Sequence, residues 1–166
     1  MRTNDDPARR WILLGVVLGL CAVILNPANH ATAGPGSASA QDKDDLFITA
    51  ETSGILDIEG GECFADPVYS PGAGEPVVLY TPCAQGADNQ SYGFVHAADG
   101  RYDRTRLAEF GWDRCGRGFR ANWPKSTLDY YPILPTAETW ADGDRDVMCV
   151  VYDPAGRLAD SVLPIR

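Results

Sequence analysis

From residue 62 onward the apolar positions fall into short runs of β-forming residues separated by turn-forming ones, and one stretch alone has a helical period. Glu62 to Ala65 is a short strand candidate. Val77 to Thr81 and Tyr92 to His96 are two further β-rich runs around the polar connection Gln85 to Gln90, and they are expected to pair antiparallel. Tyr69 to Pro76, with Pro71, Gly72 and Gly74 inside it, reads as a turn-rich loop. Leu128 to Leu134, Val147 to Tyr152 and Leu158 to Leu163 complete the strand candidates, with turns at Asp142-Gly143 and Asp153 to Gly156. The helix is expected from Arg104 to Ala121, with the Asp103 carboxylate as N-cap. Ala108, Trp112, Cys115 and Phe119 recur at a 4-3-4 spacing that puts them on one face, flanked by Leu107 and Phe110. Gly111, Gly116 and Gly118 each cost a helix about 1 kcal/mol relative to Ala, so packing and a covalent tie must hold it. The pattern predicts an α+β fold: a small antiparallel β-sheet with one packed α-helix.

The first 40 residues stand apart. Arg2, Arg9 and Arg10 precede an uncharged run from Trp11 to Leu25, and a small-residue stretch ends in Ala38-Ser39-Ala40-Gln41. This is the layout of an export signal. At 1.5 Å per residue the run reaches about 22 Å, short of the roughly 30 Å hydrocarbon core. Removal after Ala40 or Ala33 is therefore expected ahead of retention as a transmembrane anchor. Residues 41–59 read as a tether and lead-in, its charged start Gln41 to Asp45 mobile, and 60–166 as the domain proper, entered at Gly60-Gly61.

With 45% apolar and 10% aromatic residues the chain can build a core. Residues 1–40 take three arginines and two aspartates from 14 basic and 23 acidic residues, leaving 11 against 21. A surplus of this sign repels nucleic acid and anionic membrane surfaces, which excludes both as ligands; contact with a membrane is left to the N-terminal segment. Cys21 falls in the signal, so Cys63, Cys83, Cys115 and Cys149 form an even set suited to two disulfides in an oxidising compartment. Three pairings are open to them. Their spacings offer no C-x-x-C for zinc, and no cofactor is implied.

Several of these residues together carry a resemblance. Gly61-Glu62-Cys63-Phe64, Val77 to Cys83, Gly100-Arg101-Tyr102, Cys115 with Phe119, Pro135, and Trp140 to Cys149 with Gly156 and Ser161 resemble the septum-formation domain of actinobacterial envelope proteins over roughly residues 60–163. The resemblance implies an extracytoplasmic domain linked to cell division, without established catalysis. It also implies pairing in sequence order, Cys63 with Cys83 and Cys115 with Cys149. One motif departs: where the family often carries C-x-x-P-H-D-x-E-V, this chain has Asp88 but Ala87 in the histidine position and Gln90 in the glutamate position.

Candidate chemistry is sparse. Asp142, Asp144 and Asp146 could open a calcium loop, but Val147 stands where such a loop turns on glycine, a strand follows, and Arg145 sits among the carboxylates in place of a cation. His96, the one histidine beyond residue 40, would have to serve any triad with Ser91, Ser126 or Ser161, and no G-x-S-x-G elbow exists. A carboxylate pair such as Asp144 with Glu138 or Asp66 is the alternative, a wall-directed hydrolase. Trp123, Tyr130, Tyr131 and Trp140 form a candidate binding surface for a glycan or an envelope protein, with core packing for most of them expected ahead of exposure. The reading that results is a non-enzymatic envelope domain acting by binding.

Overall fold

The computed structural model describes residues 41–164. The export signal or anchor expected at residues 1–40 lies outside them. Strand β6 (Asp146–Tyr152) is buried at every position but its first, because it lies inside a four-stranded antiparallel sheet. Its neighbours are β4 (Asn89–His96) and β5 (Asp129–Ile133), and β1 (Cys63–Phe64) closes the other edge in the order β1-β4-β6-β5. Branched and aromatic residues suit a strand packed on both faces.

Helix α1 (Arg104–Asn122) covers one face of the sheet. Asp103 caps it as expected, accepting from the Arg106 N–H at 3.2 Å. Leu107 and Cys115 meet Val147 and Cys149 of β6 beneath it. Two of the three helical glycines, Gly111 and Gly116, are explained by this contact. A Cβ on Gly111 would come within 3.0 Å of Leu134 and Pro132, and one on Gly116 within 2.9 Å of the Tyr130 ring, so the helix sits closer to β5 than alanine would allow.

Met148, Val150 and Tyr152 point to the opposite face, and residues 41–59 cover it. Ile48, Ile55 and Ile58 are sealed there with Phe64, Val78 and Tyr131, and Lys43 is buried too. The expected mobile tether is thus a third layer of the fold. Its apolar residues follow neither a helical nor an alternating period, and Gly54 (φ 84°) turns it back between Ile48 and Ile55, so no periodicity announces it.

Other boundaries shift. The expected loop Tyr69 to Pro76 is a hairpin, β2 (Val68–Ser70) with β3 (Glu75–Val77), closed by the Gly74 N–H on the Ser70 carbonyl at 2.8 Å. Val77 to Thr81 does not pair with Tyr92 to His96; β4 pairs with β1 and β6 instead, starting three residues earlier through buried Asn89 and Gln90. Leu158 to Leu163 makes only one bridge, Ala87 with Leu158. A short helix, α2 (Ala137–Ala141), stands where no element was expected, nucleated by a capping box between Thr136 and Thr139.

The disulfides join Cys63 to Cys83 and Cys115 to Cys149, the sequence-order pairing. The first ties β1 to the turn before β4, and the second bolts α1 to β6. Each closed loop contributes about 3–4 kcal/mol in the chain-entropy picture. Cys115 and Cys149 are buried, at 0% and 2% exposure, while Cys83 is half-buried. A mild thiol reductant is therefore expected to open Cys63–Cys83 first and leave Cys115–Cys149 intact until the domain unfolds; alkylation of Cys115 ahead of Cys83, read by mass spectrometry, would contradict this.

Asp45 fastens the N-terminal layer to α1, accepting from Trp112 Nε1 at 3.0 Å and Arg104 Nη2 at 2.7 Å. Burial pushes its carboxyl up, but the two hydrogen bonds and the guanidinium outweigh it and hold the group below its ordinary 3.8. A depressed carboxyl stabilises the fold above its unfolded value and loses that contribution as pH falls through the folded one. Asp45→Asn is expected to cost about 2 kcal/mol near neutral pH, and nothing in acid below the folded value, in urea unfolding.

Candidate functional site

The N-terminal layer does not cover its face of the sheet completely. Phe94, Met148 and Ile133 are cross-strand neighbours in β4, β6 and β5, and they floor a groove of about 190 Å³ walled by Ile55, Leu56 and Ile58. Leu56 is 67% and Phe94 45% exposed, apolar surface that folding has left in water. Asp144 and Asp146 form the polar rim. The Asp146 N–H donates to Asp144 Oδ1 at 2.9 Å, and the Asp146 carboxylate meets His96 Nδ1 at 2.8 Å.

Arg145 does not neutralise this rim, contrary to the sequence expectation. Its guanidinium lies 3.9 Å from the Trp140 ring centre and donates to Asp99 Oδ1 at 3.1 Å and to the Trp140 carbonyl at 2.7 Å. In the segment leading into β6, Arg145 is held against Trp140, away from the side of Asp144 and Asp146 that lines the groove. The groove is therefore apolar in its floor and acidic at its mouth. Among the described residues no cluster of three His, Cys, Asp or Glu is arranged to hold a metal ion.

A second cavity is polar and centres on Lys43, whose side chain is 4% exposed. Its ammonium donates to Asp66 Oδ1 at 2.5 Å and to Asn89 Oδ1 at 2.9 Å, and Tyr131 donates to the same amide oxygen at 3.0 Å. Asn89 Nδ2 in turn donates to Asp66 Oδ1 at 2.8 Å. Asp88 accepts from the Asp66 N–H and from Arg157. Burial lowers the Lys43 pKa from its ordinary 10.5 even though Asp66 works to raise it, and burial pushes the Tyr131 phenol well above its usual range. Every member is partnered, so the cluster is a fastener for the N-terminal layer.

The candidate aromatic surface is largely interior, in line with core packing for most of its members. Tyr131 is fully buried and Trp140 is 9% exposed, its Nε1 donating to the Gly100 carbonyl at 2.9 Å. Trp123 and Tyr130 are half-buried, with Phe119 stacked on Tyr130 at 4.9 Å and Trp123 edge-on to Tyr92 at 5.3 Å beneath α1. Exposed rings occur instead at Tyr69, Tyr80 and Phe94.

The other candidates are dispersed as well. Ser91 is buried with its hydroxyl unpartnered, and the Ser161 hydroxyl accepts from Gln90 at 2.8 Å, so His96 faces Asp146 and not a serine. Asp66 and Asp144 line different cavities, and Glu138 is exposed on α2. Ala87 and Gln90, where the motif departs, are buried; Gln90 binds the Gly61 carbonyl and the Val162 N–H and so holds the C-terminal tail.

The fold and site define an α+β domain with two disulfides, fitted to an oxidising setting and carrying an apolar groove with an acidic mouth. No protein family, curated protein or solved structure matches the chain. Among the described residues no helix is long and apolar enough to cross a membrane.

Removing one partner of a buried ion pair costs far more than replacing both with apolar groups. Asp66→Ala is expected to destabilise the domain by about 3 kcal/mol in urea, and Lys43→Met with Asp66→Leu by clearly less than the single change. Equal losses would show that the pair itself, and not the stranded charge, is what matters.

Proposed function

We propose that this protein is a non-enzymatic cell-envelope domain that works by binding, outside the cytoplasm, either secreted or held at the membrane by its N-terminal segment. The septum-formation likeness of residues 60–163 supports cell division as the setting, and the two disulfides support an oxidising location. The observation that carries the reading is the groove between the N-terminal layer and the sheet, where Leu56 and Phe94 stay in water although the fold has a buried core beside them. Its partner is an envelope protein or a cell-wall glycan.

A photo-crosslinker placed at Leu56 in the natively exported protein is expected to trap an envelope component, whereas the same group at Arg117, on the α1 side of the sheet, traps none. Equal labelling from both positions, or turnover of purified peptidoglycan that Asp144→Asn abolishes, would overturn the proposal.

A further inference from the structure

The edge of strand β4 beside the groove carries unbonded main-chain groups from Phe94 onward. Pro132, paired with Cys149, has no N–H to give, so the β5–β6 ladder must be unbonded at that pair and Cys149 turns its main-chain groups to β4. Gly93 is its partner there, and Val95 takes the same role opposite Val147 two residues on. The Ala97 N–H on the Arg145 carbonyl, at 2.8 Å, continues the series. Phe94 and His96, between these positions, therefore aim their N–H and C=O groups away from β6. Strand β1 ends before reaching them. Its lead-in bonds to β4 only as far as Ser91, through Gly61 and Glu62; Gly60 still lies beside Gly93 and the Phe94 ring, without a main-chain bond to them, where the chain turns at Glu59–Glu62. Among the described residues nothing pairs with those four groups.

Side chains and edge converge at this point. Phe94 and His96 face the same side of the sheet as Met148 and Asp146, so the open edge borders the apolar floor at one residue and the acidic mouth two residues on. We propose that the occupant of the groove is an extended segment of a protein partner that adds as a short strand to β4 at Phe94–His96, in line with β1 and antiparallel to β4. The residue opposite His96 is then Lys or Arg, whose long side chain reaches past the His96 ring toward Asp146, and the residue opposite Phe94 is apolar, packing on the exposed Phe94 ring at the groove's border, with the added strand ending short of Gly60. In chain order this is a basic-x-apolar motif. The acidic surplus of the domain steers such a segment toward it. The inference rests on the reading of the groove as a binding surface and names what fills it.

The probe is a blocked, fluorescein-labelled peptide in which Lys and Leu stand two apart among threonines, titrated into the full exported chain and followed by anisotropy. Saturable binding is expected. It falls about tenfold when the Leu amide is N-methylated, which removes one strand bond without changing a side chain, and by a similar factor when Lys is replaced by Glu. His96→Pro removes an outward N–H that β4 does not use, so the fold and both disulfides persist while binding drops. Should that variant misfold, the methylated peptide still decides the question. Binding indifferent to N-methylation, or no saturable binding while soluble peptidoglycan fragments occupy the groove, overturns strand addition. A persisting Leu56 crosslink would then leave the groove's binding role standing, and loss of the crosslink as well would remove that role too.

Discussion

The constraint that organises this molecule is a central strand with two apolar faces. Val147 and Cys149 point one way from β6, Met148, Val150 and Tyr152 the other, and neither set can be left in water. Among the described residues one long helix is available, and α1 covers only one side. The second cover is irregular backbone, which has no ladder of its own and must be held by side chains. That requirement accounts for the unusual investment at its start: a buried lysine against Asp66 and Asn89, and Asp45 against Trp112 and Arg104. The regular cover needs less, since one disulfide fixes it to β6.

Covalent and polar fasteners thus divide the work by face. Cys115–Cys149 lies under α1, where Gly111 and Gly116 bring helix and sheet into near backbone contact. Cys63–Cys83 and the Lys43 cluster hold the N-terminal layer and the strand-poor end around β1. An irregular layer packs less completely than a helix, and the groove is where it stops short, over Phe94, Met148 and Ile133. The apolar surface left there follows from how the second face is closed, which is why it coincides with the least regular part of the fold.

How much of this could be read in the sequence follows from what kind of order each part has. Helix α1 and strands β5 and β6 were legible because they obey a period: the 4-3-4 stripe with its Asp103 cap, and the runs at Leu128 to Leu134 and Val147 to Tyr152. The N-terminal layer obeys none, so the sequence around Ile48, Ile55 and Ile58 reads as a lead-in. Asn89 and Gln90 fall in a polar connection by composition because their polarity is satisfied inside, by Lys43, Tyr131 and the C-terminal tail, and composition cannot see a partner. The aromatic set is divided by the fold: Trp123 and Tyr130 pack with Tyr92 and Phe119 beneath α1, Trp140 packs on Tyr102 and Arg145, and Tyr131 faces the N-terminal layer, a partition that proximity in sequence does not disclose.

The groove was hidden by a single residue of irregularity. In a regular strand Tyr92 and Phe94 would share a face, and the alternation around them predicts that. The register of β4 against β6 instead slips between Ser91 and Gly93, and Gly93 sits at φ 144°, in a region side chains rarely enter. The extra residue sends Tyr92 under α1 to Trp123 and turns Phe94 to the opposite face. It also changes which main-chain groups point outward: Ser91 bonds toward β1, and past the bulge Phe94 and His96 inherit that direction with no strand left to receive them. The early end of β1 leaves the edge unpaired, and the bulge exposes the ring and sets which main-chain groups that edge presents, placing them side by side.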